Sequence, residues 1–277
     1  MNFLGIDVGS TNIKCRLSTD KNLTLFSSSR DYTSIQQDYF NYVDIQRIYS
    51  ELEYMVKEAS KHGDIGAICI SSFGESFVLV DEHDHILLHP MLYTDPRGEQ
   101  EIKDVLDVIS QEDLYHITGT IPQSMYSLYK LLWFKKNSPH IFKNACKFMQ
   151  IADYMNYNIT KKHITDYSLA ARTGVFNLDH KTFETELLTK LGINPMIFPK
   201  ALKTGTVIGN VSESFAKKCG ISTSCQVIVG GHNQVMAAIG SGVVKENMAI
   251  DGMGTVECIT TTFRNKIDDI NIGNFKK

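Results

Sequence analysis

A mixed α/β fold is predicted by three observations on the 277 residues. The chain opens with an apolar run, a glycine-bearing turn and two more apolar-alternating runs; a stretch of helical apolar spacing follows, and then the unbroken apolar run Ile65 to Ser71. Strands, a helix and then a strand without polar alternation is the order of a sheet covered by helices.

The first strand spans Phe3 to Val8. A turn bearing Gly9 leads into a second strand, Ile13 to Leu17, and Asp20-Lys21-Asn22 turns into a third, Leu23 to Ser28, so the opening is an antiparallel meander. Val43, Ile45, Ile48, Leu52, Met55, Val56 and Ala59 recur at helical spacing and predict a helix from Tyr39 to Lys61, stopped by His62-Gly63. Phe77 to Val80 and Ile86 to Leu88 flank the turn Asp81 to Asp84 and read as a hairpin. Helices are expected near Glu99 to Ser110, Gln111 to Thr118, Tyr126 to Asn137 and Ala152 to Thr160. A short strand, Gln226 to Val229, opens through Gly230-Gly231-His232-Asn233 into a helix from Gln234 to Ile239. The strand Met248 to Asp251 then turns through Gly252-Met253-Gly254-Thr255 into another apolar run.

Composition narrows the class of partner. With 28 basic and 31 acidic residues the net charge is −3, which excludes the dense basic footprint of a general nucleic-acid binder. A 43% hydrophobic and 21% charged chain fits neither disorder nor a membrane bundle, and no apolar run reaches the roughly 18 residues of a membrane span. The amino terminus lacks a basic segment followed by a long apolar core, so a cytoplasmic location is expected. Six cysteines without a CxxC pair suggest neither a zinc ribbon nor a redox motif, and buried reduced thiols are expected.

Two turns carry chemistry. Asp7-Val8-Gly9-Ser10-Thr11-Asn12-Ile13-Lys14 places a carboxylate at a strand end, followed by a glycine and hydroxyls. Glycine allows close backbone approach to a phosphate, N–H and O–H groups donate to its oxygens, and the aspartate can hold a hydrated Mg²⁺. The spacing is not that of a Walker loop, and an ordinary acidic hairpin turn is the alternative. Asp251-Gly252-Met253-Gly254-Thr255 is a second such turn between apolar strands, and two such loops can close on one phosphate chain.

Beyond these turns the chain carries Tyr93-Thr94-Asp95-Pro96-Arg97, Lys130-Leu131-Leu132-Trp133-Phe134-Lys135, Asn137-Ser138-Pro139, Asp153-Tyr154, Asp166-Tyr167-Ser168, Ala171-Arg172-Thr173, Gly205, Gly209 and Gly230-Gly231-His232-Asn233-Gln234. In this order they resemble the amino-terminal part of an FGGY-family carbohydrate kinase, within the sugar kinase, Hsp70 and actin superfamily. The resemblance implies an actin-like (ribonuclease H-like) ATPase domain. Its mixed sheet would have antiparallel opening strands and flanking helices, with a sugar-binding domain over residues 1–244 and the start of a second, similar domain over 245–277. It implies ATP-dependent phosphorylation of a sugar or polyol hydroxyl, with ATP and Mg²⁺ as cofactors, and neither a nucleic acid nor a membrane as partner. Asp7 would position Mg²⁺ through water. Gly9, Ser10, Thr11, Asn12, Lys14, Gly254 and Thr255 would meet the phosphates, and Glu75, Asp95, Arg97 and Tyr126 would meet the sugar. Arg97 has a structural alternative, tying its turn down by a carboxylate pair; the alternative for Glu75 is a solvated turn residue.

Two departures qualify this implication. The family's general base is an aspartate just after the Gly-Gly-His turn, where this chain has Asn233, and a carboxamide has no lone pair basic enough to take a proton. An engineered substitution, a natural kinase-like protein that does not phosphorylate, and a branch using another base all remain open; His232 is disfavoured as substitute because neighbours after a strand point to opposite sides. The chain also stops about twenty residues beyond the second turn, where the family continues into a domain carrying most of the adenosine pocket. Poor nucleotide affinity, a mobile stretch over 264–277 and association into a homodimer through unpaired strand edges are therefore expected. The competing reading is a catalytically silent carbohydrate-binding or regulatory protein. An actin-like or chaperone-like ATPase would not need the Tyr93 to Arg97 and Gly230 to Gln234 segments.

Overall fold

A computed structural model describes residues 1–32, 35–37, 40–253, 257–267 and 269–270. Its centre is a six-stranded sheet of β1 (Asn2–Val8), β2 (Asn12–Thr19), β3 (Thr24–Asp31), β4 (Ala67–Ser72), β5 (Val207–Asn210) and β6 (Gln226–His232), in the order β5-β6-β4-β1-β2-β3. The opening meander is antiparallel, whereas β4 runs parallel to β1 and β6 runs parallel to β4. Three parallel strands thus end on one edge of the sheet, the edge where open α/β sheets place ligands.

Strand alternation divides the faces. Leu4, Ile6 and Val8 of β1 and Ile13, Cys15 and Leu17 of β2 point into the main core, which α1 (Ile45–Ala59) closes with Ile48, Leu52, Met55 and Val56. Asp7, between Ile6 and Val8, belongs to the other face, over which α4 (Asn233–Gly240) packs. A second core gathers on α2 (Ser127–Asn137), and Phe77, Phe148 and Phe198 stack in series with ring centroids 4.7 and 4.9 Å apart. Strand Phe77–Val80 is buried at all four residues because alternate side chains enter different cores, Val78 and Val80 the first, Phe77 and Leu79 the second.

Several expected boundaries shift for local reasons. Helix α1 starts at Ile45, not at Tyr39: the Asp44 side chain accepts from the Arg47 N–H at 2.9 Å and caps it, while Phe40–Tyr42 pairs with Ile35–Gln37 as a hairpin. Tyr39 itself lies outside the described residues. A single helix from Glu99 to Ser110 is replaced by Glu101–Leu106, since Ser110 caps the next helix, Gln111–Thr118. The expected turn at Gly252-Met253 is strand: β7 (Ala249–Met253) pairs with β8 (Glu257–Thr261), Met253 opposite Glu257. Of the six cysteines, Cys15, Cys219 and Cys225 are buried thiols as expected, but Cys146 is exposed. No helix among the described residues is long and apolar enough to cross a membrane.

Helix α3 (Ile151–Thr160) is fastened at its start by Asp153, whose carboxylate accepts from the Gln150 N–H at 3.1 Å, and burial pushes that carboxyl up to about 7. The native state therefore binds a proton that the unfolded chain, with an ordinary carboxylate, releases near pH 4, so stability falls as pH rises from about 4 to about 7. Asp153→Asn keeps the accepting oxygen and removes the charge. Its unfolding midpoint relative to the unmodified protein should be higher at pH 8 than at pH 5, by more than about 1 kcal/mol of stability; an equal difference at both values would refute the assignment.

Candidate active site

The carboxyl ends of β1, β4 and β6 converge on a cleft of about 520 Å³ lined by Asp7, the turn Gly9 to Asn12 with Lys14, Phe73 to Glu75, Tyr93, Met125, Arg172, His232 to Gln234, and Glu257 and Cys258. Each group is positioned by local backbone chemistry. The Gly9 N–H donates to the Asn12 carbonyl at 2.8 Å and closes the turn, Tyr32 braces it by donating its hydroxyl to the Gly9 carbonyl, and the Tyr32 N–H donates to the Thr11 carbonyl at 3.0 Å. Asp7 stands opposite Lys14 in the β1–β2 register and accepts from the Ser71 hydroxyl of β4 at 2.8 Å. Burial raises its carboxyl above the usual range against the opposing pull of Ser71 and Lys14.

The other end of the cleft is an ion pair absent from the expectations. Glu75, in the left-handed region at φ 65° and only 3% exposed, accepts from Arg172 Nε at 2.5 Å and pairs with its Nη2. Burial raises the Glu75 carboxyl, while Arg172 and Lys130 oppose the rise. Arg172 ends the short helix Tyr167–Ala171, which Asp166 caps by accepting from the Ser168 and Leu169 N–H groups at 3.0 and 2.8 Å. The His232 N–H donates to Ser168 Oγ at 2.9 Å, which locks that helix to the end of β6. Gly74 leaves room for both: a Cβ there would come within 2.8 Å of the His232 ring and 3.0 Å of Arg172 Cγ.

The expected site residues thus fall into three groups. Asp7, Gly9, Ser10, Thr11, Asn12, Lys14, Glu75 and Asn233 meet in the cleft. Asp95, Arg97 and Tyr126 do not line it. Arg97 donates to both carboxylate oxygens of Asp95, at 2.8 and 2.6 Å, and to the Tyr42 hydroxyl at 2.7 Å, and its guanidinium sits 5.2 Å from the Trp133 ring. The carboxylate pair anticipated as the structural alternative for Arg97 is therefore formed. Burial works against ionising Asp95, but the bonds from Arg97 overcome it and hold the carboxyl below its usual range. The fully buried Lys130 donates to the Asp95 and Arg97 carbonyls at 2.6 and 3.3 Å; burial pushes its ammonium down to about 8. This scaffold backs the turn that presents Tyr93, and Tyr126 backs Arg172, whose guanidinium lies 5.0 Å from its ring. Gly254 and Thr255 lie outside the described residues.

His232 and Asn233 line the same cleft, contrary to the alternation expected of them, because β6 ends at His232 and Asn233 is the first residue of α4. Burial and the Arg172 charge push the His232 imidazole down to about 4, so it is neutral at physiological pH and a weak proton acceptor. Arg172, Tyr93, Gln234, Glu257 and Cys258 were not anticipated in the site. Arg172, Tyr93 and Gln234 had a signal, each standing within a segment that carries the family resemblance; Glu257 and Cys258 had none.

A mixed sheet whose parallel strand ends hold an acidic β-hairpin turn against a polar ion pair defines an α/β domain of the actin-like ATPase fold, the fold of the sugar kinases. The chain belongs to the FGGY family of carbohydrate kinases, matching the description of the family's N-terminal domain over residues 2–240. It is 27% identical over 276 residues to the xylulose kinase of Staphylococcus xylosus, covering 98% of this chain and 57% of that protein. It is 30% identical over 213 residues to the rhamnulokinase of Oceanobacillus iheyensis, covering 76% and 45%. Among solved structures, a ligand-bound xylulose kinase and a gluconate kinase, both from Lactobacillus acidophilus, each superpose with a TM-score of 0.88 at 27% identity, over 94% of this chain and 54% of theirs. The chain spans about half the length of the curated relatives it matches.

Proposed function

We propose that this cleft serves ATP-dependent phosphorylation of a sugar or polyol hydroxyl. The observation that carries the reading is the convergence, in one cleft, of the Asp7–Lys14 turn, the Glu75–Arg172 pair and Asn233 at the end of β6. The turn's hydroxyls, with Lys14, suit phosphate oxygens. Glu75 and Arg172 present an acceptor beside a donor, the chemistry that adjacent hydroxyls require. Asp7 fits a divalent cation held through water: its carboxylate is half-buried without full compensation, and one oxygen accepts no hydrogen bond from the described residues. Bound there, Mg²⁺ would neutralise charge on the phosphates during transfer. The two-domain division at residue 244 and a cytoplasmic setting belong to the same reading.

The second reading, a sugar-binding protein without turnover, is favoured by Asn233. The relatives' names point towards ketoses, but a xylulose kinase and a gluconate kinase match equally well, so assay must choose. ADP release with Mg-ATP, measured against D-xylulose, L-rhamnulose, L-fuculose, D-gluconate and glycerol, should show turnover with at least one. Calorimetric sugar binding with no ADP release, in both the unmodified protein and Asn233→Asp, would overturn the kinase reading in favour of the binding protein.

A further inference from the structure

We infer that the Ser168 hydroxyl is a positioning group for Asn233, holding the start of α4 at the cleft through the His232 N–H; this rests on the reading of the cleft as a sugar site. Asn233 cannot take a proton, so what it offers a sugar is a hydrogen bond, and the worth of that bond depends on where the carboxamide is held. Asn233 is the first residue of α4, and His232 before it supplies no side-chain cap. The chain entering the helix is therefore fixed from outside. On one flank β6 keeps its pairing with β4 as far as His232. On the other flank β5 pairs only through Ile228; the turn before β5 then holds Val229, whose N–H donates to the Thr206 carbonyl and whose carbonyl accepts from the Gly205 N–H, both at 2.9 Å. Beyond Val229 the strand end leans on Asp166 and Ser168 instead.

Ser168 is itself immobilised. Asp166, only 1% exposed, accepts from the Ser168 and Leu169 N–H groups, from Thr204 Oγ1 at 2.8 Å and from Ser168 Oγ at 2.9 Å. With its proton given to this carboxylate, the hydroxyl can act towards the strand only as an acceptor, and it accepts the His232 N–H at 2.9 Å. Gly231 lets the strand come that close, since a Cβ there would lie 2.8 Å from Ser168 Oγ. The same carboxylate caps the short helix that ends at Arg172, so one buried group sets both Arg172 and the approach of Asn233. Ser168→Ala separates the two. It deletes the bond to His232 but leaves Asp166 its bonds from two N–H groups and Thr204, and with them the helix before Arg172.

The test is calorimetry with the same five compounds on the unmodified chain, Ser168→Ala, Ser168→Thr, Asn233→Ala and Ser168→Ala combined with Asn233→Ala. Ser168→Ala should weaken the bound compound about 3- to 10-fold, the range of one misaligned hydrogen bond. Ser168→Thr, which keeps the hydroxyl, should recover most of that loss. Where Asn233 is already alanine, Ser168→Ala should cost less than about twofold, because the group it positions is gone. Gly231→Ala, which crowds the same hydroxyl without removing it, is the second variant and should show the same dependence on Asn233. An equal loss in both backgrounds overturns the inference, because Ser168 would then serve the cleft at large. Unchanged affinity in Ser168→Ala overturns it too, as does a loss in Ser168→Thr as large as in Ser168→Ala. In each of these cases binding by the unmodified chain leaves the sugar site standing; if none of the five binds the unmodified chain, both fall.

Discussion

Gly230→Ala is expected to lower the stability of the protein by about 3 kcal/mol or more, at the upper end of what overpacking a core costs. A Cβ at this position would overlap the carbonyl oxygen of Ile70 and lie 2.6 Å from its carbonyl carbon. Both atoms are backbone of β4, the neighbouring parallel strand, which cannot swing aside as a side chain can. The register between β6 and β4 shifts between Val229 and Gly231, so the close approach is built into the strand pairing that brings His232 and Asn233 to the cleft. Gly231→Ala is the control. Its Cβ would meet Ser168 Oγ at 2.8 Å and Asp166 Oδ2 at 3.1 Å, side-chain atoms that can yield, so a smaller cost is expected. Urea midpoints of the two variants decide the matter: equal destabilisation would mean that the β6–β4 approach is not what Gly230 serves.

The contrast between these two glycines shows which parts of the molecule can be read along the chain. The Gly9 turn, the parallel strand after the first helix and the Gly-Gly-His-Asn segment are local patterns, and their chemistry is legible from neighbours alone. Asp7, Thr11, Asn12 and Lys14 belong to the first of these patterns, whereas Glu75 and Asn233 were implied by the family resemblance; all six meet in the cleft. Asp95 and Arg97 left a sugar contact and a structural pair both open along the chain; their charges satisfy one another two residues apart, and the packing of Trp133 and Lys130 around them decides for the pair. Arg172 fails for the opposite reason: its partner Glu75 is 97 residues away, and no periodicity encodes that contact. The start of α1 was misplaced because apolar spacing continues back through Val43, whereas the Asp44 cap decides where the helix begins.

The Glu75–Arg172 contact also makes the second large prediction. Arg172→Ala removes the partner of a carboxylate that is only 3% exposed, and breaking a buried pair on one side costs about 3–5 kcal/mol. Part of the Arg172 side chain, 29%, reaches solvent, so the lower figure applies. The pH dependence follows from the direction of the shift. Burial already raises the Glu75 carboxyl, and Arg172 is the largest opposing influence, so its loss raises the carboxyl further. The native state then holds a proton that the unfolded chain has released, and stability falls as pH rises through that interval. Arg172→Ala should accordingly be close to the unmodified protein at pH 4.5 and much weaker at pH 8. Glu75→Gln combined with Arg172→Ala removes the uncompensated charge, so the double variant should be more stable at pH 8 than Arg172→Ala alone, a non-additivity that distant, independent sites would not show. If the double variant is instead the less stable of the two, Arg172 stabilises the cleft by its packing over Gly74 and Tyr126 and not by its charge. On the reading proposed for the cleft, sugar affinity separates the roles further: both variants lose the Arg172 guanidinium, so both should bind the assayed sugars more weakly even at pH 4.5, where Arg172→Ala is folded.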